Sequence, residues 1–130
     1  FRIYPPVDNT PLTALSRATN QIAKVIKPSC IAVLTASGLS ARAVVTERPD
    51  APVFALTTHT RVYHGLNLLW GVTPILISEH PDTFEEMVSV IERNLLSRKL
   101  LNKGDTIVIL GGIPAHRHGG TNFVKIHQIG

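Results

Sequence analysis

The sequence is poor in cysteine and in aromatic residues, and it has no long apolar run. Of its 130 residues only Cys30 is a cysteine, so an internal disulfide is excluded and a reducing, cytoplasmic location is expected. No apolar stretch approaches the roughly 18–20 residues that a transmembrane helix needs, so we expect no membrane partner. Aromatic residues make up 5% of the chain, and no basic run is interleaved with them, which argues against nucleic acid as a partner.

The sequence also lacks a catalytic or metal-binding pattern. It has no Ser–His–Asp or Cys–His arrangement in the sequence context of a nucleophile. Six histidines are present, but His116 and His118 flank a single arginine, and no cysteine or carboxylate stands at ligand spacing. We therefore predict no catalytic residue, no metal site and no cofactor in this chain. The net charge of +4 favours a small anionic ligand.

What the sequence does contain is a regular alternation of apolar runs with amphipathic segments. The periodicity predicts helices over residues 11–27, 38–47, 61–69 and 83–99, and strands over 30–34, 53–56, 73–78, 106–110 and 122–128. Such alternation indicates a mainly parallel sheet that is covered on both faces. Because residues 111–121 join the last two strands without a helix, the last strand is expected to run antiparallel. We therefore predict a three-layer α/β/α domain over residues 11–130. Its mixed five-stranded sheet has four parallel strands and one antiparallel edge strand, which exposes a pairing edge for another subunit.

Four local predictions concern how the helices are capped and packed. The first helix is expected to bury an apolar face made of Leu12, Leu15, Ala18, Ile22, Val25 and Ile26. Asp82 with Glu85 predicts a capping box for the fourth helix. The buried face of that helix is expected to be Phe84, Met87, Val88, Ile91 and Leu95. Trp70 is expected to pack at the end of the third helix, with a subunit interface as the alternative.

The most informative segment is the loop between the first strand and the second helix, residues 35–40. It offers the hydroxyl groups of Thr35, Ser37 and Ser40, and backbone N–H groups around Gly38 at the start of the helix. The first N–H groups of a helix lack partners and its dipole attracts negative charge, so this geometry suits a phosphate group. The loop contains no acid, base or strong nucleophile, which indicates that it holds an anion without transforming it. The alternative is a plain capped turn between strand and helix.

A second loop, residues 111–121, is rich in glycine and contains two histidines. It is either a surface connection or a lid that supplies His116, Arg117 or backbone N–H groups to a ligand. In a parallel sheet, ligands bind beyond the carboxyl ends of the strands. Both loops, and residues 57–60 as well, lie on that side of the predicted sheet.

Five ordered motifs resemble the C-terminal domain of pyruvate kinase, of the bacterial type. They lie at residues 31–41, 48–57, 69–74, 103–105 and 120–122, and the resemblance covers residues 14–130. It implies the regulatory domain of a homotetrameric glycolytic enzyme. Catalysis in that family takes place in a (β/α)₈ barrel, where phosphoenolpyruvate and ADP become pyruvate and ATP with Mg²⁺ and K⁺. Because the chain begins without methionine, we expect residues 1–10 to be a linker from a missing catalytic domain, and the chain alone to be inactive.

The resemblance also implies roles for individual residues. The family's effector loop matches Thr35, Ser37, Gly38 and Ser40, with Ala36 and Leu39 lending backbone N–H groups to a phosphate of an activating sugar phosphate. The loop that closes over the effector in the family corresponds to residues 114–120, which here include Pro114, His116, Arg117, Gly119 and Gly120.

The resemblance leaves one departure and several alternatives. Members activated by fructose 1,6-bisphosphate carry a basic residue early in the fourth helix, but residues 83–91 contain none. We therefore expect a monophosphate effector, such as ribose 5-phosphate, a hexose phosphate or AMP. The alternatives are a stand-alone phosphate-binding or oligomerisation module with the same fold, and a small phosphoryl transferase.

Overall fold

The computed structural model describes residues 11–111 and 123–130, and these contain the predicted order of helices and strands. The helices are α1 (Pro11–Ile26), α2 (Leu39–Thr46), α3 (Thr60–Leu66) and α4 (Phe84–Ser97). The strands are β1 (Cys30–Leu34), β2 (Val53–Thr57), β3 (Val72–Leu76), β4 (Thr106–Gly111) and β5 (Phe123–Gln128). The predicted linker, residues 1–10, lies outside the described residues.

The five strands form one sheet in the order β3-β2-β1-β4-β5. β1 pairs in parallel with β2 and β4, and β2 pairs in parallel with β3. β5 pairs antiparallel with β4, so that Val124 lies opposite Leu110. The predicted sheet of four parallel strands and one antiparallel edge strand is thereby confirmed. All residues of the central strand β1 are buried, which is why its sequence is apolar throughout rather than alternating.

The two faces of the sheet belong to different apolar layers. Ile31 and Val33 of β1 lie in a layer that also contains Val44 of α2 and half-buried apolar residues of α1. Helix α3 joins α2 on that same face through a smaller apolar cluster. Ala32 of β1 lies in the opposite layer with Ile91 of α4. Helices α1, α2 and α3 therefore cover one face and α4 covers the other, which confirms the three-layer α/β/α architecture.

The buried face of α1 is only in part the predicted one: Leu15, Ile22 and Ile26 pack half-buried against the core, but other residues are buried more deeply. The residues that α1 buries are mostly small and polar: Ser16, Thr19, Asn20 and Ala23. Thr19 Oγ1 donates to Leu15 O at 2.7 Å, and Asn20 Nδ2 donates to Ser16 O at 3.1 Å and to Val44 O of α2 at 3.4 Å. Thr19 and Asn20 thus have hydrogen-bond partners within α1 and on α2, whereas the buried Ser16 Oγ has none among the described residues. Val25, which the apolar periodicity placed inside, is 81% exposed.

The cap of α4 lies one residue later than predicted. Thr83 is the N-cap, and its Oγ1 accepts from the N–H of Glu86 at 3.1 Å. Glu86 Oε1 in return accepts from the N–H groups of Thr83 at 3.1 Å and of Asp82 at 2.9 Å. These hydrogen bonds lower the pKa of Glu86, and the one from the N–H of Asp82 contributes most to that shift. The predicted pair, Asp82 with Glu85, is wrong because the helix begins at Phe84. The residues that α4 buries are Met87, Val90, Ile91 and Leu95.

Trp70 does not pack where the sequence placed it. Helix α3 ends at Leu66, three residues before its predicted end, and Leu66 takes the buried position. The chain then turns through Gly71, whose φ is 92°, before β3 begins. Trp70 projects from this turn and is 94% exposed, beside Leu68 at 89%. The prediction that Trp70 packs at the end of the third helix is therefore wrong.

Candidate functional site

The predicted site lies where the order of strands reverses in the sheet. β1 has β2 on one side and β4 on the other, so the chain leaves β1 in one direction and later returns on its other side. In open α/β sheets, ligands bind at such a switch point, beyond the carboxyl ends of the strands. β1 ends there at Leu34, and residues 35–38 lead directly into α2.

The loop is a tight turn that is held by its own hydroxyl groups. The N–H of Gly38 donates to Thr35 Oγ1 at 2.8 Å, and the N–H of Leu39 donates to Ser37 Oγ at 3.3 Å. Gly38 has a φ of 90°, in the left-handed region that glycine adopts readily. Among the residues that the structure describes, the N–H groups of Ala36 and Ser37 have no acceptor. Two loop amides thus brace the turn, and two remain for a ligand.

The three hydroxyl groups of the loop differ in exposure. Thr35 and Ser40 are each 7% exposed, whereas Ser37 is exposed. The N–H of Thr35 also donates to Leu56 O of β2 at 3.0 Å, which continues the strand pairing beyond β1. Thr35 therefore fixes the start of the turn, and Ser37 presents its hydroxyl to solvent.

The loop separates two concave regions of different size. A cavity of about 20 Å³ lies on the side of Thr35 and Ala36, where Thr57, His59 and His80 also line it. A groove of about 220 Å³ lies on the other side, between α2 and α3. The groove is lined by Ser37, Gly38, Arg42, Arg61, Val62, Gly65 and Leu66. Of these two spaces, the larger is the groove that is lined by Ser37 and the two arginines.

Sequence reasoning did not single out Arg42 and Arg61. Arg42 lies one helical turn after Gly38 and its N–H donates to Gly38 O at 3.1 Å, so its spacing from the loop was a readable signal. Arg61 lies in the first turn of α3, and only the packing of α3 against the loop brings it near. The spacing of residues in the sequence does not indicate that Arg61 lies near the loop.

The opposite side of the loop, toward α4, is acidic. Glu79, Glu85 and Glu86 line a groove of about 400 Å³ there, together with His80 and Arg93. Arg93 Nη2 donates to Glu79 Oε2 at 2.9 Å, and this hydrogen bond is the main cause that lowers the pKa of Glu79. The first turn of α4 carries two acidic residues and no basic one. Glu79 and His80 also line the small cavity beside Thr35 and Ala36, so the acidic groove adjoins the loop at that cavity.

The other predicted elements of the site fall only partly within the described residues. The predicted lid residues Pro114, His116, Arg117, Gly119 and Gly120 lie outside the described residues. Within residues 11–111 and 123–130, no group of three or more His, Cys, Asp or Glu side chains could hold a metal ion. No helix in these two ranges is both long enough and apolar enough to cross a membrane.

The fold and the loop define a class: a mixed-sheet α/β domain whose strand-to-helix loop lies at the switch point. Residues 13–127 match the family model described as pyruvate kinase, alpha/beta domain. The chain therefore belongs to that family, as its motifs predicted.

The comparisons with individual proteins point the same way. The chain is 32% identical over 117 residues to pyruvate kinase of Lactobacillus delbrueckii subsp. bulgaricus, covering 90% of the chain and 20% of that protein. It is 32% identical over 126 residues to pyruvate kinase of Agrobacterium vitis, covering 97% of the chain and 26% of that protein. It is 34% identical over 119 residues to pyruvate kinase 2 of Synechocystis sp., covering 89% of the chain and 20% of that protein. The chain thus spans a fifth to a quarter of the length of these relatives.

Proposed function

We propose that this chain is the regulatory domain of a pyruvate kinase and that its loop, residues 35–40, binds a phosphorylated effector. In the full-length enzyme, phosphoenolpyruvate and ADP are converted to pyruvate and ATP in the cytoplasm. The catalytic residues and the Mg²⁺ and K⁺ that they use belong to the rest of that enzyme, so the chain alone has no turnover. The observation that carries the proposal is the hydroxyl-rich loop at the switch point of a domain of this family.

The loop geometry supports an anion as its ligand. The N–H groups of Ala36 and Ser37 have no acceptor within the described chain, and the hydroxyl of Ser37 is exposed beside them. Backbone N–H and hydroxyl donors that converge at a strand-to-helix turn bind phosphate oxygens well. The ligand then makes charge-assisted hydrogen bonds without meeting a nucleophile or a general base.

The acidic groove toward α4 supports a monophosphate rather than a bisphosphate such as fructose 1,6-bisphosphate. Glu85 and Glu86 occupy the first turn of α4, and the arginine that lines this groove, Arg93, is paired with Glu79. A second phosphate in this groove would lie among carboxylates, which is unfavourable. Ribose 5-phosphate, a hexose phosphate and AMP fit this requirement.

Regulation in this proposal works through a difference in affinity. An effector that binds the active arrangement of the full-length enzyme more tightly than the inactive one shifts the enzyme toward activity. Such coupling free energies are about 1–3 kcal/mol. Subunits of a homotetramer carry the shift from one catalytic domain to another, and each regulatory domain contacts its own catalytic domain.

The edge strand β5 is the proposed contact between regulatory domains. It pairs only with β4 among the described strands, so its outer N–H and C=O groups are free of strand partners there. Ile126 on this strand is 50% exposed. A long edge strand with an apolar residue invites pairing with another strand, and a second copy of β5 related by a two-fold axis satisfies both edges at once.

The effector proposal is tested by calorimetric titration of the chain with ribose 5-phosphate, with ribose as the control. We expect binding of the phosphorylated sugar alone, and no binding by Ser40→Asp, whose carboxylate repels the phosphate. Because Ser40 is buried, Ser37→Asp at an exposed position gives the same test without a risk to folding. Full affinity in Ser37→Asp, or tighter binding of fructose 1,6-bisphosphate than of every monophosphate, would contradict the proposal.

A further inference from the structure

Trp70 lines a groove of about 720 Å³ that has no part in the proposed effector site. Two other residues that line this groove, Ala51 and Gly71, lie just before the first residues of β2 and β3. The groove is therefore at the amino ends of these parallel strands, whereas the loop of residues 35–40 follows the carboxyl end of β1. It is a second concave region, at the other end of the sheet from the loop.

The apolar residues of the groove are held in place by the core. Val45 and Ala51 pack half-buried against the apolar layer that contains Ile31 and Val33 of β1. Leu69 packs half-buried against the smaller apolar cluster under α3. A methyl group at Gly71 would lie 3.8 Å from Val45 Cγ1, so the turn before β3 lies against the end of α2. Because core contacts fix these residues, the apolar part of the groove exists before any ligand binds.

The charged residues that line the groove are both arginines. Arg42 and Arg48 are exposed, and neither guanidinium group has a hydrogen-bond or ion-pair partner within residues 11–111 and 123–130. Glu47 and Asp50 are neighbours of Arg48 in the sequence, but neither of them lines the groove. The groove therefore carries positive charge that no carboxylate in its wall balances, and this charge is complementary to an anion.

We infer that this groove is a second ligand site, for a small molecule in which an aromatic ring is joined to an anionic group. Its volume of about 720 Å³ falls within the roughly 300–1,000 Å³ of small-molecule sites. The indole of Trp70 is 94% exposed and offers a face on which an aromatic ring stacks. The guanidinium groups of Arg42 and Arg48 bind the anion, a phosphate or a carboxylate, with charge-assisted hydrogen bonds.

Trp70 is the only tryptophan of the chain, so its fluorescence reports on this groove. The 130-residue chain is titrated with phenyl phosphate, while the emission of Trp70 is recorded. Phenol and inorganic phosphate are the controls for the two halves of this probe, and benzoate replaces the phosphate with a carboxylate. We expect a saturable change with phenyl phosphate or benzoate, and binding at least about tenfold weaker with either half, because each half loses one of the two kinds of contact.

Variants of the lining residues locate the bound probe, with calorimetry as a readout that does not need the indole. Trp70→Ala, Arg42→Gln and Arg48→Gln are each expected to weaken the binding of the better probe about tenfold. All three side chains are exposed, so these variants should fold like wild type. The matched control is Arg17→Gln, which removes an exposed arginine of α1 that does not line the groove.

The outcomes separate this inference from the proposed function. Loss of affinity in the three groove variants, with wild-type affinity in Arg17→Gln and in Ser37→Asp, supports the inference. If Ser37→Asp loses the probe and Trp70→Ala keeps it, the probe binds at the loop and the inference is overturned while the loop site stands. If neither probe gives a saturable change, or if Arg17→Gln weakens binding as much as the groove variants do, the inference is overturned. An emission that shifts to the red when the ligand-free chain is diluted also overturns it, since a second copy then covers the indole.

Discussion

Gly38 offers a way to separate the stability of the fold from the binding of phosphate. Its φ of 90° is left-handed, and an added methyl group would lie 3.4 Å from Val62 Cγ1 and 3.6 Å from Leu66 Cδ2, which is ordinary contact. Gly104 has a φ of 94° and nothing within 4 Å of the same position. Alanine at either glycine therefore costs about 1–2 kcal/mol of backbone strain, with no large packing penalty at Gly38.

The two alanine variants should consequently unfold alike and bind differently. With an m-value of about 2 kcal/mol/M in urea, each midpoint falls by roughly 0.5–1 M. Only Gly38→Ala also disturbs the turn in which the N–H of Gly38 donates to Thr35 Oγ1 at 2.8 Å. Its affinity for ribose 5-phosphate should fall about tenfold or more, while Gly104→Ala keeps wild-type affinity.

Two results would refute this reasoning. Unchanged phosphate affinity in a folded Gly38→Ala variant would mean that the geometry of the turn does not hold the ligand. A midpoint shift in Gly38→Ala far larger than in Gly104→Ala would mean that contacts with α3, rather than backbone strain, decide its stability. Circular dichroism at neutral pH without urea checks that both variants are folded before titration.

Three further predictions concern other parts of the molecule. Hydrogen bonds lower the pKa of Glu86 from its ordinary 4.5, so its contribution to stability is complete above pH 4.5 and is lost as the pH falls through the folded pKa. The difference in free energy of unfolding between wild type and Glu86→Gln, measured in urea, should shrink over that range of pH. A difference that does not depend on pH contradicts this. Trp70→Ala should change the free energy of unfolding by less than about 0.5 kcal/mol, whereas a larger loss would show that the indole packs. Ile126→Lys should shift the sedimentation of the chain toward a monomer, and a wild-type chain that is already monomeric speaks against the β5 contact.

The order of helices and strands was predictable because local pattern and tertiary structure agree in it. The apolar run of β1 is typical of a buried strand, and the amphipathic spacing of α4 is typical of a helix. Gly and Pro residues mark turns between the elements of the chain. The antiparallel direction of β5 was predictable because the connection before it is too short to contain a helix and return the chain to the other end of the sheet. The sheet places the predicted loop at the carboxyl end of β1, as expected, and the rule for parallel sheets makes that end the candidate site.

The failures arose where the decisive contact is distant in sequence or where residue type misleads. Small polar residues such as Thr19 and Asn20 line the buried face of α1 because their hydrogen bonds are satisfied within the helix and to α2, which apolar periodicity cannot register. Trp70 looks like a core residue by type, but α3 ends before it. Arg61 lines a groove with Ser37 only because α3 packs against the loop, and spacing in the sequence does not indicate that proximity.

Cys30 has a practical consequence for studying the loop. The thiol is fully buried in β1, and burial, followed by the negative charge of Asp105, raises its pKa to about 12. Since the thiolate is the reactive species, the raised pKa and the burial of the thiol both lower its reactivity. We therefore expect the native chain not to react with maleimide or iodoacetamide reagents. A cysteine introduced at an exposed residue outside the loop would therefore be a unique attachment point for a fluorophore.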